Sequence, residues 1–122
     1  MTRRKKDRRS FEKGEGVTIS VPVEPNEMYS AGRLYAHITL APGAKMDLHI
    51  HRDEMESYYI LKGTARVRDN DRTEKLTEGD TLITKANDWH AIYNDTDEPV
   101  EFMALIISKV QGEDGASHLR QY

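Results

Sequence analysis

The sequence predicts an all-β protein, folded as a sandwich or a barrel of short strands. Two observations predict this class. Apolar residues alternate with a period of two along most of the chain, and no segment keeps a helical period. Turn-forming residues interrupt these alternating segments at nearly regular intervals, as they do in sandwiches and barrels. The 122 residues are enough for one domain of ordinary size with its own hydrophobic core.

Eight strands are expected in chain order. Each is a short alternating or apolar segment bounded by turn signals such as Pro25-Asn26, Ala41-Pro42-Gly43 and Glu78-Gly79-Asp80. The expected strands are Val17–Val23, Leu34–Leu40, Asp47–His51, Glu56–Lys62, Thr64–Asp69, Asp80–Thr84, His90–Asn94 and Val100–Val110. The two ends lack the alternation. We therefore expect a flexible basic N-terminal arm over 1–14, a single domain over 15–110 and a polar C-terminal tail over 111–122.

Charge is distributed unevenly along the chain. The first ten residues carry six basic side chains and one aspartate, and the remaining 112 carry 12 basic and 20 acidic side chains, which gives +5 and −8. A short basic arm can bind nucleic acid. The acidic body would repel phosphate, however, and Thr2–Ser10 contains no aromatic residue on which a base could stack. We therefore expect no nucleic-acid partner.

The chain contains no cysteine. This excludes disulfide bonds, a thiolate nucleophile, an iron–sulfur cluster and a zinc site built from cysteine, so any metal must be held by imidazole and oxygen. The longest apolar run, Phe102–Ile107, is too short to span a bilayer. The basic N-terminus is not followed by the apolar segment of a signal peptide. We expect a cytoplasmic protein that has no membrane partner.

Three histidines and one glutamate form the chemically most informative pattern. His49 and His51 are two residues apart, so on a strand both imidazoles leave the same face, with Cα atoms about 6.6 Å apart. Glu56 follows after a charged bend, and a strand returning antiparallel there would bring its carboxylate to the same ion. His90 supplies a third imidazole from a distant segment. Taken singly, Glu56 could face solvent, and His90 could be an ordinary half-buried histidine beside Trp89.

Together these residues resemble the two-part signature of the cupin superfamily over roughly residues 15–110. The first motif, Gly-x5-His-x-His-x4-Glu-x6-Gly, is matched at every fixed position, by Gly43, His49, His51, Glu56 and Gly63. The second, Gly-x5-Pro-x-Gly-x2-His-x3-Asn, is matched at Gly79, His90 and Asn94. This chain has Lys85 in place of the proline and Asn87 in place of the second glycine. Asparagine tolerates the left-handed backbone that glycine would supply.

The resemblance implies a jelly-roll β-barrel, also called a double-stranded β-helix, with one metal ion inside it. Carried over position by position, the ligands are His49, His51, Glu56 and His90. Three imidazoles and one carboxylate suit a divalent transition metal, namely Mn, Fe, Co, Ni, Cu or Zn. A six-coordinate ion would keep two positions for water, oxygen or a chelating substrate.

Four further residues are weaker candidates. Tyr58 shares the face of Glu56 and could hydrogen-bond a substrate, although a core tyrosine is the simpler interpretation. If the face of Leu34–Leu40 that carries His37 and Arg33 lines the barrel, His37 could transfer a proton and Arg33 could hold a carboxylate; otherwise both are surface groups. Asn94 could support the His90 loop by a hydrogen bond.

The resemblance leads to two hypotheses about function. The first is a metalloenzyme that acts on a small polar molecule able to chelate the ion, by dioxygenation, decarboxylation, isomerisation or elimination. The second is a binding or sensor module without turnover. We also expect a homodimer, because an alternating strand such as Val17–Val23 would leave an unpaired edge in a single barrel.

Overall fold

The computed structural model describes residues 1–109, which form two antiparallel β-sheets. Ten strands occur in this order: β1 (Arg9–Glu12), β2 (Val17–Val21), β3 (Gly32–Leu40), β4 (Lys45–Ile50), β5 (Glu54–Lys62), β6 (Ala65–Asp69), β7 (Arg72–Leu76), β8 (Thr81–Thr84), β9 (Trp89–Tyr93) and β10 (Val100–Ser108). Two short 3-10 helices, Lys5–Asp7 and Pro25–Met28, complete the secondary structure of the described chain.

The larger sheet has six strands in the order β1-β2-β3-β10-β5-β8, and the smaller has four in the order β4-β9-β6-β7. Strand β10 lies in the middle of the larger sheet, between β3 and β5. This architecture confirms the all-β class. None of the helical segments among residues 1–109 has the length and apolarity needed to cross a lipid bilayer.

The core is built from one face of each sheet. Along β3 and β10 the alternate residues are buried, as the period of two requires. The largest fully buried apolar side chains include Phe102, Ile38, Leu40, Ile60 and Ile92, which come from both sheets. These side chains hold together the pair of sheets between which the histidines and Glu56 meet.

Four residues of the N-terminal arm that we expected to be flexible form strand β1 instead. Arg9–Glu12 pairs antiparallel with β2 in a register that sets Phe11 against Ile19. Further upstream, Arg3 makes two hydrogen bonds to Glu27, of 2.6 and 3.0 Å. The sequence pattern missed this strand because all four of its side chains are exposed and show no apolar alternation. Strand β2 is consequently an inner strand, not the open edge expected from the sequence.

Strand β7 was also missed, for the same reason. Its residues are polar and mostly exposed, so it carries no apolar signal. It pairs with β6 through a two-residue connection, Asn70-Asp71, in which Asn70 has a φ of 54°. The expected strand Val100–Val110 is seen up to Ser108, and its last residue and the tail 111–122 lie outside the described residues.

Gly63 is required where β5 gives way to β6. Its φ is 86°, and a Cβ atom there would lie 2.6 Å from the carbonyl oxygen of Pro99 and 3.3 Å from the Cα of Val100. Both contacts are with backbone, which cannot move aside cheaply.

Gly63→Ala should therefore lower the free energy of unfolding by about 1–3 kcal/mol, because strain at positive φ is joined by a steric clash. Urea denaturation measures this loss. Gly79→Ala is the matched control: its φ is 90° but no atom lies within 4 Å of the added Cβ. Equal losses in the two variants would show that the contact with Pro99 is without effect.

Candidate metal centre

The histidine and glutamate side chains converge between the two sheets. Strand β4 contributes His49 and is followed directly by His51, β9 contributes His90, and β5 contributes Glu56. His49 and His90 are direct cross-strand partners in the smaller sheet, and the register of β4 shifts between Met46 and His49. Each of the four side chains offers one donor atom, and these atoms lie within 4.8 Å of one another.

Glu56 reaches this group from the opposite sheet. The sequence led us to expect that its strand would return antiparallel beside the first two histidines, but β5 pairs with β10 and β8 instead. A sharp corner after His51 carries the chain across, with Asp53 at a φ of 58°. The corner is pinned by backbone hydrogen bonds from Asn87 to His51 and from Lys109 to Asp53, of 2.9 and 2.7 Å.

The distances within the group centre on one carboxylate oxygen. Oε1 of Glu56 lies 2.9 Å from Nε2 of His90, 3.0 Å from Nε2 of His51 and 3.8 Å from Nε2 of His49. The Nε2 atoms of His49 and His90 are 2.9 Å apart. Glu56 and His90 are 3% and 0% exposed. Hence two donor groups are deeply buried, whereas His49 and His51 lie nearer to solvent.

The outer nitrogen of each imidazole has its own partner. Nδ1 of His49 lies 2.7 Å from the carbonyl oxygen of Asp47, which can only accept a hydrogen bond, so this nitrogen carries the proton. Nδ1 of His90 lies 2.7 Å from Oγ1 of Thr84. Nδ1 of His51 lies 3.4 Å from Oε1 of Glu54. Such partners fix ring orientation, and at His49 the protonated Nδ1 directs the Nε2 lone pair inward, as in histidine metal ligands.

These features fit a metal ion. Nε2 of His51 and Oε1 of Glu56 are fully buried and only 3.0 Å apart, yet neither makes a hydrogen bond of acceptable geometry among the described residues. A buried polar atom without a partner is costly, and lone pairs that face one another repel. A cation bound by all four atoms would satisfy them at once. The set of three nitrogens and one oxygen suits divalent transition metals.

The ionisation of Glu56 and His51, but not that of His49, favours metal binding. Burial is the largest single influence on Glu56 and opposes ionisation, but contacts with His49 and His90 and the charges of His90 and His51 outweigh it, so its pKa falls to about 2. Burial, assisted by the positive charges of its neighbours, lowers the pKa of His51. The pKa of His49 is raised, chiefly by its contact with Glu56. An ionised carboxylate and neutral imidazoles are the forms that bind metals.

Arg33 belongs to the surroundings of the site. It makes two hydrogen bonds to Glu54, of 2.5 and 3.0 Å, and its Nη2 atom lies 3.3 Å from Nδ1 of His51. Arg33 therefore holds Glu54 in place beside His51. It also lines the cavity in front of the donor atoms, where its guanidinium could face a bound anion.

His37 lies elsewhere. Its Nε2 atom is 3.0 Å from Oε1 of Glu101, and it sits on the face of β3 opposite to the buried residues Ala36 and Ile38. His37 is therefore a surface group, which is the second of the two interpretations that the sequence allowed.

Tyr58 is almost completely buried, at 1% exposure. Its ring stacks on His90 with centroids 5.0 Å apart and an angle of 16° between the planes, and it also contacts Phe102 at 4.8 Å. Burial, and after it the proximity of Glu56, raise the pKa of Tyr58 well above its usual range. In this position Tyr58 supports the His90 ring from the core.

Asn94 does not support the His90 loop as the sequence had suggested. Its amide nitrogen donates to the carbonyl oxygens of Leu40 and Glu98, and its amide oxygen accepts from Thr96. Its role is to fix the turn before β10. The partner of His90 is Thr84, which the sequence analysis overlooked because a lone threonine on a strand carries no recognisable signal.

Thr84→Val should weaken metal binding about 10–100-fold, because it removes the hydrogen-bond partner that orients His90. Elemental analysis and a competitive metal titration measure the change. Thr84→Ser keeps the hydroxyl and is the matched control, which should bind nearly as tightly as the parent protein. Loss of affinity in both variants would point to packing at this position instead.

A cavity of about 630 Å³ opens in front of the donor atoms of His49, His51 and Glu56. It lies between the two sheets, and most of its wall is apolar. The apolar lining residues are Phe11, Ile19, Leu34, Ile38, Met46 and Ile106. The charged lining residues other than Glu56 are Lys13, Arg33, Lys45 and Asp47.

Several known proteins are similar to this chain in sequence or in structure. The chain is 36% identical over 95 residues to an "Oxalate-binding protein" of Thermotoga maritima, covering 78% of each sequence. A crystal structure of a "predicted oxalate decarboxylase" from Thermotoga maritima superposes with a TM-score of 0.80 at 30% identity, covering 88% of this chain and 99% of that one. The alginate biosynthesis protein AlgA of Pseudomonas aeruginosa is 31% identical over 83 residues, which are 68% of this chain but only 17% of AlgA.

The family known as the cupin domain matches residues 36–107. This range runs from the middle of β3 to β10 and includes the four donor residues. The two sheets, the motif spacing and the superposed structure agree with this match. The chain is therefore a member of the cupin family.

Proposed function

We propose that this cupin binds one divalent transition metal ion through His49, His51, Glu56 and His90, and that the ion binds a small chelating carboxylate. The observation that carries this proposal is the convergence of four donor atoms at the end of an accessible cavity. A bound ion would act as a Lewis acid towards the oxygens of the ligand. The protein would position the ion and shield it on the side of Glu56 and His90.

The charges of the cavity support an anionic ligand. Lys13, Arg33 and Lys45 line it, whereas Asp47 is the only carboxylate apart from Glu56 that lines it among residues 1–109. Lys45 lies 3.3 Å from Asp47, so these two largely compensate each other. Arg33 is paired with Glu54 in the same way, so Lys13 is left to add its positive charge to that of the ion. With the ion bound, such a cavity would favour small carboxylates.

The relatives agree with this class of ligand. The curated relative from Thermotoga maritima is named for binding oxalate, and the similar crystal structure from the same organism is described as a predicted oxalate decarboxylase. Oxalate is a small dianion that chelates divalent ions through two oxygens. For the present chain we propose the same class of ligand, a small chelating carboxylate.

A titration with oxalate tests the proposal. The full-length protein, loaded with Mn²⁺ and analysed for metal content, should hold one ion per chain and bind oxalate in a calorimeter. The same protein stripped with a chelator should bind oxalate at least tenfold more weakly. Substoichiometric metal after loading, or oxalate binding that is indifferent to the metal, would refute the proposal.

A metalloenzyme is the second candidate, and a specific observation favours it. With four protein ligands, a six-coordinate ion would keep two positions for a substrate, and Lys13 lines the cavity as a group able to move a proton. Product formation from oxalate or a 2-oxo acid after loading with Mn, Fe, Co, Ni, Cu or Zn would support turnover. Stoichiometric binding without product in all six forms would favour the binding role.

The basic arm gives no support to a nucleic-acid role. Arg3 is paired with Glu27, and Arg9 lies 3.0 Å from Glu24, so part of its charge is neutralised within the chain. We therefore retain the expectation of a small-molecule ligand without nucleic acid. A cytoplasmic location stays a prediction from the sequence.

A homodimer also remains our proposal, on a different surface from the one expected at first. The outer face of the larger sheet exposes apolar side chains on β5, β8 and β10: Tyr59 is 45% exposed, Leu61 40%, Ile83 58% and Ile107 38%. Tyr59 is the cross-strand partner of Met103 on this face. At its border, His37 and Glu101 pair with each other. An uncharged centre with a neutralised border suits a symmetric contact with a second copy.

Ile83→Lys should convert this dimer into monomers, because it places a charge at the most exposed of the four apolar residues on this face. Light scattering after gel filtration should give twice the 14.0 kDa chain mass for the parent protein and 14.0 kDa for the variant. Thr73→Lys, an exposed substitution on β7 of the other sheet, should leave the dimer intact. A parent protein that is already monomeric would refute the dimer.

A further inference from the structure

The cavity beside the donor atoms is much larger than oxalate requires. Its volume is about 630 Å³. Oxalate has six non-hydrogen atoms, and if each took the share of one water molecule, oxalate would occupy roughly 180 Å³. More than two thirds of the cavity would then remain for something else. Sites of this size ordinarily bury ligands with a substantial apolar body.

The remaining wall is apolar and well fixed. Ile19, Ile38 and Ile106 are 4%, 0% and 2% exposed, and all three belong to paired strands of the larger sheet. Leu34 and Met46 are partly buried and pack against the core. Because these side chains are packed in the core or against it, the wall stays apolar. With oxalate bound, the partly exposed side chains of Leu34 and Met46 would face water, whereas an apolar ligand group would displace that water.

Strand β1 places the side chain of Phe11 at the cavity, although Phe11 is not part of the hydrophobic core. Phe11 lines the cavity, is 39% exposed, and is held opposite Ile19 by the pairing of β1 with β2. The side chain of Arg9 lies over its ring, 5.2 Å from the centroid. Because β1 contains no buried residue, its position is not required to complete the hydrophobic core. Its contribution is to the wall of the cavity.

We infer that the preferred ligand is a 2-oxo or 2-hydroxy carboxylate with an apolar side chain, and that Phe11 helps to select it. The carboxylate and the neighbouring oxygen would chelate the ion, and the side chain would pack against Phe11, Leu34 and Met46. This rests on the proposed function, since it needs the ion to hold the carboxylate end. It goes further than the proposed function, because it predicts a ligand that is larger and more apolar than oxalate.

A series of acids of increasing length tests the inference. The full-length protein loaded with Mn²⁺ is titrated in a calorimeter with oxalate, pyruvate and 4-methyl-2-oxopentanoate. Each buried methylene group can improve affinity up to about fourfold. The three additional carbons of 4-methyl-2-oxopentanoate should therefore strengthen binding at least tenfold relative to pyruvate. Equal or weaker binding of the longer acid would overturn the inference.

Substitution of the aromatic side chain tests its part in selection. In Phe11→Ala, the ratio of the affinities for 4-methyl-2-oxopentanoate and pyruvate should fall at least threefold, while elemental analysis still shows one ion per chain. Tyr29→Ala is the control, since Tyr29 is an exposed aromatic residue that lines neither the cavity nor the face proposed for the dimer. An unchanged ratio in Phe11→Ala would remove Phe11 from the selection.

The results also separate this inference from the proposal on which it rests. If oxalate binds in a metal-dependent manner and the longer acid binds no better than pyruvate, the inference fails and the proposed function stands. If none of the three acids binds in a metal-dependent manner, both fail.

Discussion

Glu56→Gln should lose its metal ion almost completely. The substitution keeps the shape of the side chain but removes the only negative charge among the four donors, and that charge lies within 3.0 Å of two imidazole nitrogens. The loss of affinity should exceed the 10–100-fold typical of removing a hydrogen-bond partner of a ligand. His51→Ala should behave similarly while keeping the fold, because His51 lies beyond the end of β4 and outside the core.

Metal content after dialysis and thermal unfolding with and without Mn²⁺ measure this effect. An ion that binds only the folded state raises the melting temperature, so the parent protein should show a shift that Glu56→Gln lacks. Glu101→Gln is the matched control: Glu101 is a half-buried glutamate that also contacts a histidine, but on the outer face of the sheet. Stoichiometric metal in Glu56→Gln would contradict the assignment of the four ligands.

Phe102→Ala should cause the largest loss of stability, about 3–5 kcal/mol in the free energy of unfolding. Phe102 is completely buried on β10, between β3 and β5, and its ring contacts Tyr58, which in turn stacks on His90. The variant leaves a cavity below the metal centre. We therefore also expect weaker metal binding, because the ring of Tyr58 loses its support.

Urea denaturation of the metal-free protein measures the stability loss without interference from the ion. Met103→Ala is the control, since the next residue along β10 points to the outer face and is only partly buried. It should cost less than half as much as Phe102→Ala. Similar losses in the two variants would mean that the core is not centred where the alternation of β10 places it.

The sequence predicted strands wherever one face of the strand is buried. Strands β2 and β10 alternate between buried and half-buried or exposed positions, and this alternation is directly readable from apolar residues. Strands β1 and β7 were not predicted, because their stability comes from backbone pairing with a neighbour and their side chains face solvent. A pattern of burial cannot reveal a strand that buries nothing.

The donor residues were predicted because the spacing of the motifs is unusually specific. Asn87 was expected to adopt a left-handed backbone in place of glycine, and its φ of 72° confirms this. The supporting residues were not predicted: Thr84 and Glu54 reach the histidines only through the pairing of sheets and a corner of the chain. Contacts of this kind depend on tertiary geometry, for which a single sequence has no local signal.

The corner after His51 has a mechanical consequence. Because the chain changes sheets there, His49 and His90 are anchored to one layer of the protein, Glu56 to the other, and His51 to the corner between them. A cation bound to all four would act as a cross-link between the layers, much as a disulfide would in a chain that had cysteine. Amide exchange along β4 and β5 should then slow together when the ion is added. The exchange rates of the two strands would therefore report how much of the protein holds a metal ion.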